Sequence, residues 1–266
     1  MAPTIILIIY RLISTSLQAG KIIPTDYMKD VIPGKTSVQF PSQIGGRFGN
    51  IPASHPVVVF NLAVRFNHPL GVLAPGAKDI ASYFQKMNKA LANQADEYGT
   101  LGVSSWQGSD RADSNTMLIV FYFRDIDGLN RFAHSDVHRK GWDWYNRSKH
   151  AHIGIMHETF CVPAGAYESV YVNMAPTLMG ATTVKIMGDG SADANWVRPL
   201  VAADKGALKS QFGRMGKSAG NEHEKYGAEP SWELNTEAHV GFDTASMLLI
   251  RTFFRRNLCT CRLCTH

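Results

Sequence analysis

The order of strand-like and helix-like segments between residues 57 and 162 is the feature that most limits the fold. Val57 to Phe66 is rich in valine and phenylalanine and ends before His68-Pro69, which is typical of a strand. Gly76 to Gly99 carries apolar residues three or four positions apart and closes on a glycine, which predicts a helix. Two further strands are predicted over Leu101 to Trp106 and Met117 to Phe123.

A second helical region and a last strand complete the pattern. Asp125 is in the N-cap position of the helical region, which runs, with or without a break, to Asn146 or Arg147. Ile153 to Val162 is the last strand. The order β-α-β-β-α-β is the split unit of ferredoxin-like α+β folds. Such a sheet has one bare face, and two bare faces can close into a barrel around a ligand, so we expect a homodimer or two copies in one chain.

We expect three regions along the chain. Residues 1–54 are an apolar segment followed by an extended arm with scattered proline and glycine, and residues 55–216 form the α+β barrel domain. Residues 217–266 repeat part of the first half, because the run from Asn93 to Gly99 returns as Asn221 to Gly227. This echo predicts a truncated second copy with a tail, and chance similarity is the alternative.

Charge and cysteine content argue against several functions. The net charge of +5 comes from dispersed basic residues without a block of like charges, so we do not expect nucleic-acid binding. Cys161 stands alone in an apolar segment. Cys259, Cys261 and Cys264 include half of a zinc-site spacing without a second pair, so no metal site is predicted. Nothing resembles a disulfide framework, which favours a reducing, cytoplasmic location.

The N-terminus is apolar from Ile5 to Ile13, with Arg11 as its one interruption. This stretch is too short to span a bilayer and lacks the basic start of a signal peptide. Contact with a membrane surface through residues 5–13 stays open, because an interfacial helix needs only one apolar face.

The densest site chemistry lies between residues 134 and 168, where five of the ten histidines fall. Histidine titrates nearest to neutral pH and is the commonest metal ligand. His134 and His138 are four residues apart and share one face of a helix, as a base with its orienting group or as a helix-end pair bonded to the backbone. His157 lies in a strand, where we expect it to be buried and neutral, as a base or as a satisfied core histidine.

Strand alternation places His157 and Glu158 on opposite faces of the sheet. If His157 faces the open side, Glu158 lies against the second helix and needs a partner, so a structural ion pair with Arg124, Arg139 or Arg147 is expected. Asn61 and Arg65 share one phase of the first strand. They would bind an oxyanion or a substrate carboxylate if that phase faces a barrel interior, or lie at its rim.

Four further residues are candidates for substrate binding. Trp142 and Trp144 cannot face the same side of a helix, so we expect one in the core and the other beside a pocket or interface. Tyr167 and Asn173 follow the last strand and are placed to cover a pocket mouth.

Several of these segments together resemble a mainly fungal and bacterial family, that of the fumagillin-pathway monooxygenase. This family is related in fold to the antibiotic-biosynthesis monooxygenases. The resemblance covers roughly residues 55–215, and the matching runs are Phe132 to His134, His138 to Trp144, His152 to Thr159, Pro163 to Glu168 and Tyr171 to Asn173.

The resemblance implies a dimeric α+β barrel that oxidises a small, hydrophobic, conjugated, polyketide-like intermediate with molecular oxygen in secondary metabolism. Related monooxygenases need no flavin or metal, so no cofactor is expected. The protein would supply a base, from among the three histidines, and a dry pocket. Two alternatives stay open. One is a haem protein of similar fold, such as an aldoxime-dehydratase-like enzyme, with His157 or His138 as the axial ligand. The other is a cyclisation or binding scaffold that uses no titrating residue.

Overall fold

The computed structural model describes residues 2–44, 46, 48, 51–110, 112–187 and 194–217. The cysteines of the tail, and the partial second copy predicted over residues 217–266 except for residue 217 itself, lie outside the described residues.

A four-stranded antiparallel sheet forms the centre of the molecule. Its strands are β2 (Val57–Phe66), β3 (Thr100–Gln107), β4 (Thr116–Phe123) and β5 (Ile153–Val162), arranged in the order β3-β4-β2-β5. Helix α2 (Ala77–Asn93) connects β2 to β3, and helices α3 (Ile126–Ala133) and α4 (Asp136–Ser148) connect β4 to β5. The α+β class and the ferredoxin-like order predicted from the sequence are confirmed.

Helix α2 packs on one face of this sheet through an apolar stripe. Its buried side chains recur at helical spacing and include Ile80, Phe84 and Leu91. The helix ends at Asn93, before the predicted Gly99, because residues 94–98 turn away from it. In this turn the main-chain oxygen of Asp96 accepts a hydrogen bond of 2.6 Å from the Arg124 guanidinium.

The two faces of the central sheet bury different cores. Even-numbered residues of β2, such as Val58, Val64 and Phe66, pack towards α2, α3 and α4 on what we call the helix face. Odd-numbered residues near the start of the strand, Val57 and Val59, pack with Tyr122 of β4 in a second core on the opposite side, the open face. Alternation along a strand requires this division.

A second layer covers one end of the open face. It contains a three-stranded sheet in the order β6-β1-β9, built from β1 (Ile32–Val38), β6 (Tyr171–Met174) and β9 (Leu200–Ala202). The hairpin of β7 (Val184–Met187) and β8 (Ala194–Val197) adds Val184 and Val197 to the same core. Residues 32–38, predicted within an extended arm, are therefore the middle strand of this sheet.

A buried ion pair fixes the C-terminal end of the described fold. Helix α5 (Gln211–Arg214) carries Arg214, which is 6% exposed, and its Nε donates to Oε2 of Glu168 at 2.6 Å. Its Nη1 also donates to the main-chain oxygens of Leu208 and Lys209. The glutamate that pairs with a buried arginine is thus Glu168, itself partly buried and ten residues beyond the one predicted from the sequence.

The N-terminal helix α1 (Ala2–Ala19) extends from the body. Residues 4–13 are all exposed, including the isoleucines from Ile5 to Ile13. Within the described part of the chain, no helix is long and apolar enough to cross a membrane.

Candidate functional site

Three histidines from separate elements come together on the helix face. His134 is the C-cap of α3, His138 lies in the first turn of α4, and His157 lies in β5. The positive forms of His134 and His157 both act electrostatically on His138 and lower its pKa. These are the three residues that the sequence predicted as catalytic, and we call them the histidine group.

The break between α3 and α4 positions two members of this group. Asp125 caps α3 by accepting from the Gly128 amide at 2.6 Å, and Ser135 caps α4 by accepting from the His138 amide at 3.4 Å. Serine and aspartate at N-caps satisfy amides that have no partner within the helix. Because α3 ends at His134 and a new helix starts beyond Ser135, both imidazoles lie at this junction.

His138 has the properties of a neutral proton acceptor. Burial is the main cause that lowers its pKa below the ordinary 6.5, and the positive forms of His134 and His157 lower it further. A hydrogen bond to the carbonyl of Ala133 opposes these effects. The lowered pKa favours the neutral imidazole, in which one ring nitrogen carries a lone pair.

Aromatic side chains border the histidine group. The ring of Phe132 meets that of His138 edge-on at a centroid distance of 5.7 Å. The ring of Phe60 lies 5.6 Å from that of His157. Phe60 and Phe132 belong to the core of the helix face, so the histidines stand at the margin of an apolar region. Phe60 was not predicted as a site residue, although its place in the same phase as Val58 and Val64 of β2 indicates this face.

His157 differs from its prediction in burial and in face. It is exposed, and it pairs with Leu62 of β2 and therefore lies on the helix face. The reason is that β5 is an edge strand covered by α4 only near its start, where the Tyr145 hydroxyl donates to the Ile153 carbonyl at 2.8 Å. Burial along β5 falls from Ile153 onwards.

Asn61, Arg65 and Glu158 form a separate set on the open face. Glu158 pairs directly with Asn61 across β2 and β5, and Arg65 lies on the same face two repeats further along β2. Glu158 is exposed and lies on the face without helices, so its predicted burial against a helix is wrong. Among the described residues it forms no ion pair, since Arg124 pairs with Asp96 and Arg139 with Asp136.

The polar groups of the open face have apolar neighbours. Trp106, Met156 and Phe160 lie on this face and are 45%, 45% and 50% exposed. The sheet separates them from the histidine group. Asn61 and Arg65 therefore cannot act on the same reacting atom as the histidines of the same subunit.

The two tryptophans of α4 divide as expected. Trp144 is half-buried, packs on the core of the helix face and lies 5.4 Å from the ring of Tyr83. Trp142 is 51% exposed and stacks on Tyr145 at 5.7 Å. Trp142 is thus the one available to a ligand or an interface.

Tyr167 and Asn173 do not line a pocket mouth. Tyr167 is buried in the core of the open face beside Phe40, and burial raises its pKa. Asn173 has a φ of 48°, and its Oδ1 accepts from the Gly34 amide at 2.9 Å. Asparagine is one of the few residues that tolerates this left-handed conformation, so Asn173 serves a turn.

A second set of imidazoles lies near the start of α2. The ring of His152 is 5.2 Å from those of both His68 and His150, and its Nε2 is 2.9 Å from the Pro75 oxygen. Within the described ranges, no group of three or more histidine, cysteine, aspartate or glutamate side chains is arranged to hold a metal ion.

Comparison with known proteins places the chain among monooxygenases. Residues 57–179 match the model of the family described as monooxygenase af470-like. Monooxygenase af470 of Aspergillus fumigatus is 38% identical over 215 residues, which are 81% of this chain and 78% of that protein.

Similarity to solved structures is more distant. An aldoxime dehydratase in complex with butyraldoxime matches with a TM-score of 0.42 and 12% identity, over 55% of this chain and 39% of that chain. SnoaB, a cofactor-independent oxygenase from Streptomyces nogalater, matches with a TM-score of 0.29 and 16% identity, over 40% of this chain and 91% of that chain.

Proposed function

We propose, since the chain belongs to the af470-like monooxygenase family, that it oxidises a hydrophobic, conjugated, polyketide-like intermediate of secondary metabolism with molecular oxygen. The observation that carries the proposal is His138. It is a half-buried histidine with a lowered pKa, held against an aromatic ring and flanked by two more histidines.

The proposed chemistry begins with removal of a proton from carbon. Neutral His138 accepts the proton from an activated C–H group, and the conjugated system of the substrate delocalises the resulting negative charge. The carbanion transfers electrons to oxygen, and the same carbon forms a bond to the resulting peroxide. This carbon then loses its second hydrogen as the O–O bond breaks, so one oxygen atom becomes its carbonyl oxygen and the other leaves as water with both hydrogens. Both electron pairs come from the substrate, so the reaction balances without a flavin or metal.

The other residues near His138 have supporting roles in this proposal. The ring of buried Phe132 packs against the imidazole of His138, and partly buried Phe60 beside His157 supplies an apolar surface for the substrate rings. His134 and His157 are available to donate hydrogen bonds to the oxygen atoms of the substrate. Such hydrogen bonds strengthen as negative charge develops on these oxygen atoms, and they thereby stabilise the transition state.

We expect the purified full chain to consume oxygen when supplied with polycyclic phenols and conjugated enones that carry an acidic C–H group. Oxygen uptake is measured with an electrode, and the product is analysed by mass spectrometry after reaction with isotopically labelled oxygen. Incorporation of one labelled atom supports the proposal. A stoichiometric Soret band in the absorption spectrum would replace it with haem chemistry. Turnover without oxygen uptake would favour the scaffold role.

We further propose that two copies associate through the open face. Exposed Trp106, Met156 and Phe160 form an apolar surface around Asn61 and Glu158, and surfaces of this kind commonly mark interfaces. A partner that covers this surface would bury Asn61.

The solution mass tests this association. We expect light scattering after size exclusion to give twice the chain mass of 29.4 kDa, and the substitution Trp106→Glu to give the mass of one chain. Trp142→Glu is the matched control, because Trp142 is similarly exposed but lies on α4. A single-chain mass for the unaltered protein would contradict the proposal.

A further inference from the structure

Helix α1 exposes an unusual amount of apolar surface. Eight large apolar side chains between Ile5 and Ile13 are 50–65% exposed. Beyond the helix, Ile22, Tyr27 and Met28 are exposed by 72%, 84% and 64%. Contiguous apolar surface on this scale marks an interaction site, and scattered single residues would not.

The polar residues of α1 lie on one side of the helix. Successive residues of an α-helix are rotated by about 100°. On this basis a single arc of about 100° contains most of the polar side chains, namely Thr4, Arg11, Ser14, Thr15 and Gln18. The opposite arc contains isoleucine, leucine and tyrosine, with Ser16 as its polar member. A helix divided in this way suits the boundary between water and an apolar phase.

The two halves of α1 differ along its length as well. Ile5 to Tyr10 is apolar on every side, whereas the polar arc dominates from Arg11 onwards. Six residues rise by about 9 Å along the axis, which matches the roughly 5–10 Å to which interfacial helices enter the boundary between headgroups and acyl chains. The composition therefore fits oblique insertion with the first half deeper.

Charge complements an anionic surface. Arg11 lies in the polar arc, Lys21 follows the helix, and the first acidic residue of the chain is Asp26. Basic residues at a membrane surface are attracted by anionic headgroups. Exposed Tyr27 adds a side chain that is enriched at such boundaries.

A second protein chain fits α1 less well. Helices that pair present a narrow apolar seam repeating every three or four residues. The continuous run Ile5 to Tyr10 surrounds the helix and would leave much of its apolar surface in water against one partner helix. A bilayer takes up side chains over a wide arc.

From these features we infer that α1 is an interfacial helix that docks the protein on a bilayer containing anionic lipids. The inference does not rest on the proposed reaction. Its consequence is that the enzyme acts beside the phase in which hydrophobic small molecules accumulate.

Co-sedimentation of the full chain with vesicles tests the inference. We expect binding to vesicles of phosphatidylcholine and phosphatidylserine, and weaker binding to phosphatidylcholine alone. The double substitution Ile6→Gln with Ile9→Gln should lower the partition coefficient by roughly a hundredfold, because each isoleucine removed from the apolar phase costs about a tenfold loss. The matched control is Thr4→Gln with Thr15→Gln, which changes the polar arc and should leave binding nearly unchanged.

Three results would overturn the inference. The first is no binding of the unaltered chain to either vesicle, and the second is equal binding of the two double variants. The third is an oligomer that forms without lipid, is lost in the isoleucine variant, and is accompanied by no binding to vesicles. That result would mean that α1 contacts a second copy of the chain. Equal binding to both vesicle types would show that attraction of Arg11 and Lys21 to anionic headgroups does not contribute to binding. Since α1 extends from the body, circular dichroism of the variants should match that of the unaltered protein apart from α1 itself.

Discussion

Replacing His138 by glutamine is expected to lower kcat by about 10²- to 10⁴-fold, the usual contribution of a general base. Glutamine is polar and similar in size to histidine, but its amide cannot accept the substrate proton. Steady-state oxygen uptake with the best substrate measures the effect. His68→Gln is the control, because His68 is also half-buried but lies with the second set of imidazoles.

The pH profile gives an independent test of the same residue. Because the pKa of His138 is lowered from 6.5, the neutral base is present at and above that pH and is lost only as the pH falls below it. We expect kcat/KM to rise with pH, with the midpoint of the rise below 6.5. Replacing His157 by glutamine removes one of the charges that lower this pKa, so the rise should move to higher pH. A rise centred above pH 6.5 in the unaltered enzyme would exclude His138 as the base.

The largest stability effect is expected from Arg214→Met. The substitution leaves the Glu168 carboxylate without its partner and also frees the Leu208 and Lys209 carbonyls, so we expect a loss of about 3–5 kcal/mol in the free energy of unfolding. Urea denaturation followed by circular dichroism measures it. Arg139→Met is a matched control, since the Arg139–Asp136 pair has the same 2.6 Å separation but is exposed.

For that control we expect no measurable change, because exposed ion pairs contribute little. An equal loss in the two variants would mean that burial does not distinguish the pairs. A loss below about 1 kcal/mol for Arg214→Met would show that water enters and solvates Glu168.

The central sheet was predictable because its signals are local. Valine-rich β2, the apolar spacing of α2 and the Asp125 cap each act within a few residues, and together they determine the order of elements. The difference in exposure between Trp142 and Trp144 was also predictable, because residues two apart on a helix face different sides.

The second layer was not predictable from local pattern. Strand β1 reads Ile-Pro-Gly-Lys-Thr-Ser-Val and has no strong strand signal. It is extended because β6 and β9 pair with both of its edges. Such pairing depends on residues far along the chain, so a segment of about ten residues contains no signal for it.

The positions of the candidate site residues were likewise only partly predictable from local sequence. The four-residue spacing predicted His134 and His138 on one face of a continuous helix, whereas the helix breaks between them at Ser135. Their approach to His157 follows from how α4 lies over β5. The burial of Glu158 was misjudged because alternation gives opposite faces without saying which one the helices cover. Packing determines which face the helices cover. Leu62, opposite His157, belongs to the core of the helix face, so Glu158 lies on the open face.

The position of β1 in the middle of its sheet has a consequence for how the molecule is made. Residues 32–38 are synthesised well before their partners, since Thr36 pairs with Tyr171 on one side and Ala202 on the other. Contacts between such distant residues cannot form until most of the chain is synthesised, and they slow folding because a long loop must close first. The central sheet can form before β1 is paired. We therefore expect the second core on the open face to be completed last.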